Sequence, residues 1–274
     1  TFECNIESIT NEKLILLKKN NVNRLSIGIE TFNPKFLKLL NRHHTKEEVF
    51  DKIELAKMIG FNNINVDLMY ALPGETIEDV ESDIDEILKL NVSHISCYSL
   101  MIMPNTKLYI DKYSEIDEDA DYDMYKYIEK RLTNRGYNHY EISNYSKKNM
   151  ESKHNLVYWS NEYYYGFGLS ASGYLKGYRY DNTKNLNKYI NRNYIKKIYK
   201  ITKEDEEKYE LMLGFRKKEG INKEKFKNKF KKDIHLVKNI NDMLNKNMLE
   251  ENDEFIYIKD EWIYKSNEIL VRLI

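Results

Sequence analysis

Cysteine is nearly missing from this chain. Cys4 and Cys97 are its only two thiols, they lie far apart in strand-like contexts, and neither belongs to a CxxC pair. That spacing argues against a disulfide framework and against a metal site built from this chain's own cysteines. It fits buried thiols in a reducing, cytoplasmic setting. Long apolar runs are missing too: none approaches the ~18 residues that span a bilayer, and no stretch has the pattern of a secretory leader. No transmembrane segment is expected; peripheral membrane contact stays open. An excess of charge of either sign is likewise absent, with 44 basic and 44 acidic residues. A neutral balance argues against a general polyanion binder, so no nucleic-acid partner is expected, although local basic patches remain compatible with it. Proline and alanine are scarce while Lys, Asn, Ile and Tyr abound, a bias of composition rather than of function.

Hydrophobic residues make up 41% of the 274 positions, enough for a sizeable core in one large or two smaller domains. Strand-like runs alternate with helical ones. "TFECN" is followed by a helix capped by Thr10, "RLSIGIE" by a short helix with Pro34 in its first turn, and Thr45 then caps "KEEVFDKIELAKMIG". "NINVDLMY" leads through "ALPGET" to a helix capped by Thr76, whose Ile77, Val80, Ile84 and Ile87 form an apolar stripe, and then to "HISCYSL". A β–α unit of roughly 30 residues predicts a parallel sheet with right-handed crossovers. The leading expectation is an α/β fold with a partial, TIM-like (β/α) barrel; a doubly wound sheet is second. Either way, functional groups gather at the C-terminal ends of the strands.

After Leu100 the pattern changes. A helix ends at Gly136, "YNHYEISNYS" alternates, and residues 151–180 are rich in Tyr and Gly. From Thr202 the chain reads as charged helix with a two-strand wing at "FIYIKD" and "WIYK", a small helical, winged-helix-like domain. Its lysine run, Lys223 to Lys232, is interleaved with Phe226 and Phe230 and reads as a solvated helix with one apolar face rather than a nucleic-acid surface. The expected division is 1–115 for the partial barrel, 116–200 for an extension, and 201–274 for the C-terminal domain. The chain starts at Thr1, without Met and already in a strand-like run, so a preceding segment is expected in the parent protein.

Polar groups recur at the strand ends. Glu3 lies in the first strand, Glu30 ends the second, Asp67 is inside the third, and Arg42 follows the short helix. On a barrel they would converge at one mouth. Three carboxylates and an arginine suit a zwitterionic or cationic ligand with hydroxyls, because carboxylates accept from hydroxyls and amines while Arg clamps a carboxylate. Each residue alone is equally a salt bridge or a strand-end cap. Asp67 interrupts a core-like strand, and an ionised carboxylate there needs a partner. "HNLVYW", with His154, precedes the glycine-rich "YYGFGLSASGY"; a His and aromatic rings could cover a flat ligand, and His154 could ligate iron. A lone histidine among aromatics is as readily a structural residue. His43 and His44 are adjacent and would not share a helix face, so they make no metal pair.

Taken in order, "TFECNIESI", "RLSIGIETFN", "LLNRHHT", "NINVDLMYALPGET", "HISCYSLMIMPNT", "HYEISNYS", "HNLVYW" and "YYGFGLSASGYL" resemble the radical S-adenosylmethionine (SAM) family related to oxygen-independent coproporphyrinogen III oxidase, and within it the heme-chaperone branch. The resemblance is close over about Thr1 to Asn182 and looser from Lys203. It implies a radical-SAM barrel that lacks its first strands here and that binds SAM at its mouth. Glu3, Glu30, Arg42 and Asp67 match positions that contact the amino-acid moiety and ribose of SAM in related proteins. It also implies a [4Fe–4S] cluster whose three cysteines, spaced C-x3-C-x2-C, are absent from this chain and are expected upstream of Thr1. This chain alone should therefore not cleave SAM. Three departures stand out: Ile6 for the usual Pro, Glu30 for Gln, and Ser172 where many relatives carry His, which leaves His154 as the stronger heme contact. The implied function is a chaperone that binds heme and delivers it to apo-hemoproteins. The implied alternative is oxidation of coproporphyrinogen III. A rival from another class is a protein-interaction module derived from the barrel.

Overall fold

The computed structural model describes residues 1–273, and these divide into two compact units, Thr1–Glu151 and the chain from Ser152 on. The first unit is built from the expected β–α repeats. Strand β1 (Phe2–Asn5) is followed by α1 (Asn11–Lys19), β2 (Arg24–Glu30), α2 (Pro34–Leu39) and α3 (Lys46–Met58). Then come β3 (Asn63–Tyr70), α4 (Ile77–Lys89), β4 (His94–Ser99), the short α5 (Lys107–Ile110), α6 (Glu118–Thr133), and the strands β5 (Asn138–Glu141) and β6 (Asn144–Ser146). Local chemistry sets the helix starts. Thr10, Thr45 and Thr76 each accept a hydrogen bond from a backbone N–H of their first turn, and Thr45 and Thr76 form full capping boxes with Glu48 and Asp79.

One six-stranded sheet results, in the order β1-β2-β3-β4-β6-β5. The first four strands are parallel and the last two antiparallel. Among the described residues the sheet stays open, so the barrel is partial. Its two faces differ. Leu25, Ile27, Ile29, Ile64, Val66, Leu68, Tyr70, Ile95 and Cys97 alternate onto one face and are all buried, as are the stripes Val49–Ile53–Ala56 of α3, Val80–Ile84–Ile87 of α4 and Met124–Ile128–Leu132 of α6. Each buried Val, Leu, Ile or Met among them contributes about 1.5–3 kcal/mol. The opposite face carries the polar residues.

The second unit contains α7 (Lys153–Trp159), the antiparallel strands β7 (Ser172–Leu175), β8 (Tyr178–Asn182) and β9 (Ile195–Lys200), and α8 (Leu186–Ile190) between the last two. It continues with α9 (Lys203–Gly214), β10 (Ile221–Asn222), α10 (Lys223–Phe230), α11 (Ile240–Asn245), β11 (Leu249–Glu251), β12 (Phe255–Ile258) and α12 (Ser266–Leu273). The strands β10, β12 and β11 form a three-stranded antiparallel sheet in the order β10-β12-β11. The wing differs from its sequence reading. "FIYI" is a strand, but its partners are Leu249–Glu251 and Ile221–Asn222, whereas "WIYK" turns. The Trp262 amide donates to the Lys259 carbonyl at 2.8 Å, closing a tight turn over Asp260–Trp262 that breaks the alternation. In α10, Phe226 is buried while its lysines are solvated.

Candidate cofactor-binding site

Residues paired across parallel strands point to the same side of a sheet, so the register assembles the polar face directly. One row runs Glu3–Ser26–Asn65–His94 and the next Asn5–Gly28–Asp67–Ser96. Asn65 organises the first row. Its amide donates to Ser26 Oγ and to Asp67 Oδ1, both at 2.8 Å, and its carbonyl accepts from Ser96 Oγ at 3.1 Å and from His94 Nδ1 at 2.5 Å. His94 is fully buried, and that burial pushes its pKa down to about 3. It is therefore neutral, with the proton on Nδ1, and Nε2 accepts from the Tyr140 hydroxyl at 2.7 Å.

Asp67 sits at the centre of the face, half-buried. Desolvation raises its pKa; hydrogen bonds from neighbouring side chains oppose this, and the charges of Glu30 and Glu3 add to it. Its partners in the chain are amide and hydroxyl groups, with Ser26 Oγ at 3.5 Å from Oδ2. Asp67 thus keeps acceptor capacity toward the open side of the sheet.

Glu30 reaches the face by an unusual route. It has φ +68° and sits at a bulge where the register slips between Gly28 and Glu30. A left-handed non-glycine residue costs roughly 1–2 kcal/mol. Here it turns the carboxylate back over Gly28, where a Cβ would stand 2.9 Å from Oε1. Arg42 Nη2 donates to Oε1 at 2.5 Å and the Tyr98 hydroxyl donates to Oε2 at 3.0 Å. Burial first, and then the Glu30 charge, push the Tyr98 phenol far up, so it remains a donor. Arg42 is brought there by the tight end of α2, where its N–H donates to the Leu37 carbonyl at 2.8 Å and Asn41 takes φ +56°.

The structure therefore brings Glu30, Arg42 and Asp67 together, with Glu3 exposed at the β1 edge of the same face. Ser26, Asn65, His94, Ser96, Tyr98 and Tyr140 belong to the face as well and are not among the residues singled out from the sequence. Their signal was the period-two alternation of "RLSIGIE", "NINVDLMY" and "HISCYS". A parallel strand covered on both faces reads as near-continuous hydrophobic sequence; these three do not.

The thiols do not fit a cluster. Cys4 donates to the Ser26 carbonyl at 3.6 Å and burial lifts its pKa to about 11; Cys97 is buried in β4 and shifted up further. Iron–sulfur ligands must be thiolates, and among the described residues no group of three His, Cys, Asp or Glu side chains could hold a metal ion.

His154 lies in the second unit, exposed on α7. Its Nε2 is hydrogen-bonded with the Tyr158 hydroxyl at 3.0 Å, one turn on. The Tyr158 ring meets Tyr164 edge to face, with centroids 4.5 Å apart.

Residues 1–87 match the model of the radical SAM superfamily. The heme chaperone HemW of Lactococcus lactis is 38% identical over 283 aligned residues, covering 100% of this chain and 75% of that protein. The Bacillus subtilis HemW is 34% identical, covering 97% of this chain and 73% of its own length. Among solved structures, the coproporphyrinogen III oxidase HemN of Escherichia coli superposes with a TM-score of 0.82 over 99% of this chain and 68% of the enzyme, at 16% identity, a likeness of fold. Sequence identity carried across both units, on a fold shared with a radical SAM enzyme, is what places it: the chain belongs to the HemW family of radical SAM proteins.

Proposed function

We propose that this chain binds SAM on the polar face of its open sheet and heme on its second unit, as part of a heme chaperone that passes heme to apo-hemoproteins. In this reading residues 1–115 carry the SAM face, 116–200 the segment with His154, and 201–274 a helical module. SAM is a sulfonium with an amino group and ribose hydroxyls. Asp67 would accept from hydroxyl or amine, and Glu3, at the rim, would meet positive charge. The described residues offer no tripod for a [4Fe–4S] cluster, so the part assigned to them is binding and orientation.

One observation carries the heme reading: an aromatic platform that is both exposed and held rigid. Tyr165 and Phe167 stack at 5.9 Å, and Phe167 is 85% exposed. Their loop is pinned from below. Gly166 N–H donates to the Tyr180 hydroxyl at 2.9 Å, Gly168 N–H to the Tyr189 hydroxyl at 3.0 Å, and the Asn182 amide to both glycine carbonyls. A Cβ at Gly166 would lie 2.3 Å from the Ser172 carbonyl oxygen. Rings fixed in water at that expense suit a flat apolar ligand. His154 and Tyr158 reach Tyr164, the residue before the platform in the chain, and the imidazole is the group that would meet iron.

The test is a hemin titration of the 274-residue chain and of His154→Ala, followed by the Soret band. The reading expects a shifted, sharpened band for the native chain and a weakened, displaced one for the variant. A native spectrum equal to that of free hemin would reject heme binding. An identical shifted spectrum from His154→Ala would reject the assigned ligand.

A further inference from the structure

Glu30 differs from Asp67 because one of its partners is a charged guanidinium, whereas those of Asp67 are neutral amide and hydroxyl groups. Oε1 takes Arg42 and Oε2 takes Tyr98, and the side chain is only 8% exposed. The backbone is held left-handed to deliver it, and the neighbouring strand residue is a glycine that leaves the space. Of the three carboxylates, Glu30 is the one paired with Arg42.

We propose that Glu30 is a tethered occupant of Arg42. Its carboxylate engages Nη2 of the guanidinium and so competes there with the carboxylate end of an amino-acid ligand. The inference rests on the SAM reading above. A tethered group competes at an effective concentration on the order of millimolar or higher. A second carboxylate on the same guanidinium would also face the charges of Glu30, Asp67 and Glu3. The site therefore recognises the cationic and hydroxyl-bearing parts of its ligand and gains little from the ligand's carboxylate.

Calorimetric titration of the 274-residue chain with S-adenosylmethionine and with its decarboxylated analogue tests this. For the native chain the two dissociation constants should agree within about threefold. In Glu30→Gln the tethered charge is gone, and S-adenosylmethionine should bind about tenfold tighter than the analogue, the worth of one charge-assisted contact. Should Glu30→Gln fail to fold, Tyr98→Phe removes the second anchor of the carboxylate, loosens its hold on Arg42, and should move the ratio about threefold in the same direction. A native preference of tenfold for S-adenosylmethionine, or a ratio that neither variant changes, would overturn the inference while leaving SAM binding intact. Absence of binding by either probe in any folded variant would overturn both.

Discussion

Asp67 poses the central problem at the scale of single residues, because a carboxylate inside a core-like strand needs partners. The structure supplies them unevenly: Asn65 and Ser26 at one side, an open sheet face at the other. Glu30 resolves the same problem by ion pairing, through a backbone conformation that no local pattern announces. Its partners lie 12 residues away at Arg42 and 68 residues away at Tyr98. From the sequence Glu30 was legible as a strand-end carboxylate and Arg42 as a candidate clamp; their mutual engagement was not. Gly28 is what makes room. Gly28→Ala would press a methyl group toward Glu30 Oε1 while Arg42 and Tyr98 hold that carboxylate in place. Urea unfolding of this variant should show a loss of about 1 kcal/mol, the mild end of overpacking. Stability equal to the native chain would mean that the carboxylate moves freely and the seat over Gly28 is not fixed.

The elements carry a second set of charges, behind the face. Phe32 N–H, just past β2, donates to Asp83 Oδ1 on α4 at 2.9 Å, and Asn33 reaches Asp79 Oδ1 at 2.9 Å. The turn after β3 closes on Glu75, whose Oε2 accepts from the Leu72 N–H at 3.0 Å while Ala71 takes φ +60°. Burial is the main cause that lifts Glu75 to about 8 and Asp83 to about 6. Both folded values lie above the unfolded ones, so the folded state binds more protons and stability falls as pH rises. For Asp83 the loss spans about 4 to 6, and for Glu75 about 4.5 to 8. Glu75→Gln cannot ionise and still accepts from Leu72. Its melting temperature should match the native chain near pH 4 and exceed it at pH 8; parallel curves across that range would contradict the assignment.

Element boundaries were largely legible, because caps and apolar spacing are local: Thr10, Thr45 and Thr76 start helices where expected. The polar face was written in the alternation of β2, β3 and β4, yet only register turns alternation into rows. The link between His94 and Tyr140, 46 residues apart, has no local signature. "WIYK" misled for the opposite reason: its alternation is real, but the turn at Lys259–Trp262 is set by backbone hydrogen bonding.

At the scale of the whole molecule, the expected α/β architecture of β–α units is present, as an open sheet of parallel strands extended by an antiparallel pair. The radical SAM match covers the part that bears the polar face, while the identity to HemW proteins extends through both units. No helix among the described residues is long and apolar enough to cross a membrane. Shared fold with an oxidase does not decide chemistry; the site does, and here it consists of carboxylates, amides and hydroxyls around Asp67. The decisive measurement is calorimetric binding of S-adenosylmethionine to the native chain and to Asp67→Asn. Saturable binding by the native chain, weakened at least about tenfold by the substitution with the melting temperature kept, is the expected result. Equal affinity in the two proteins, or no binding by the native one, would contradict it.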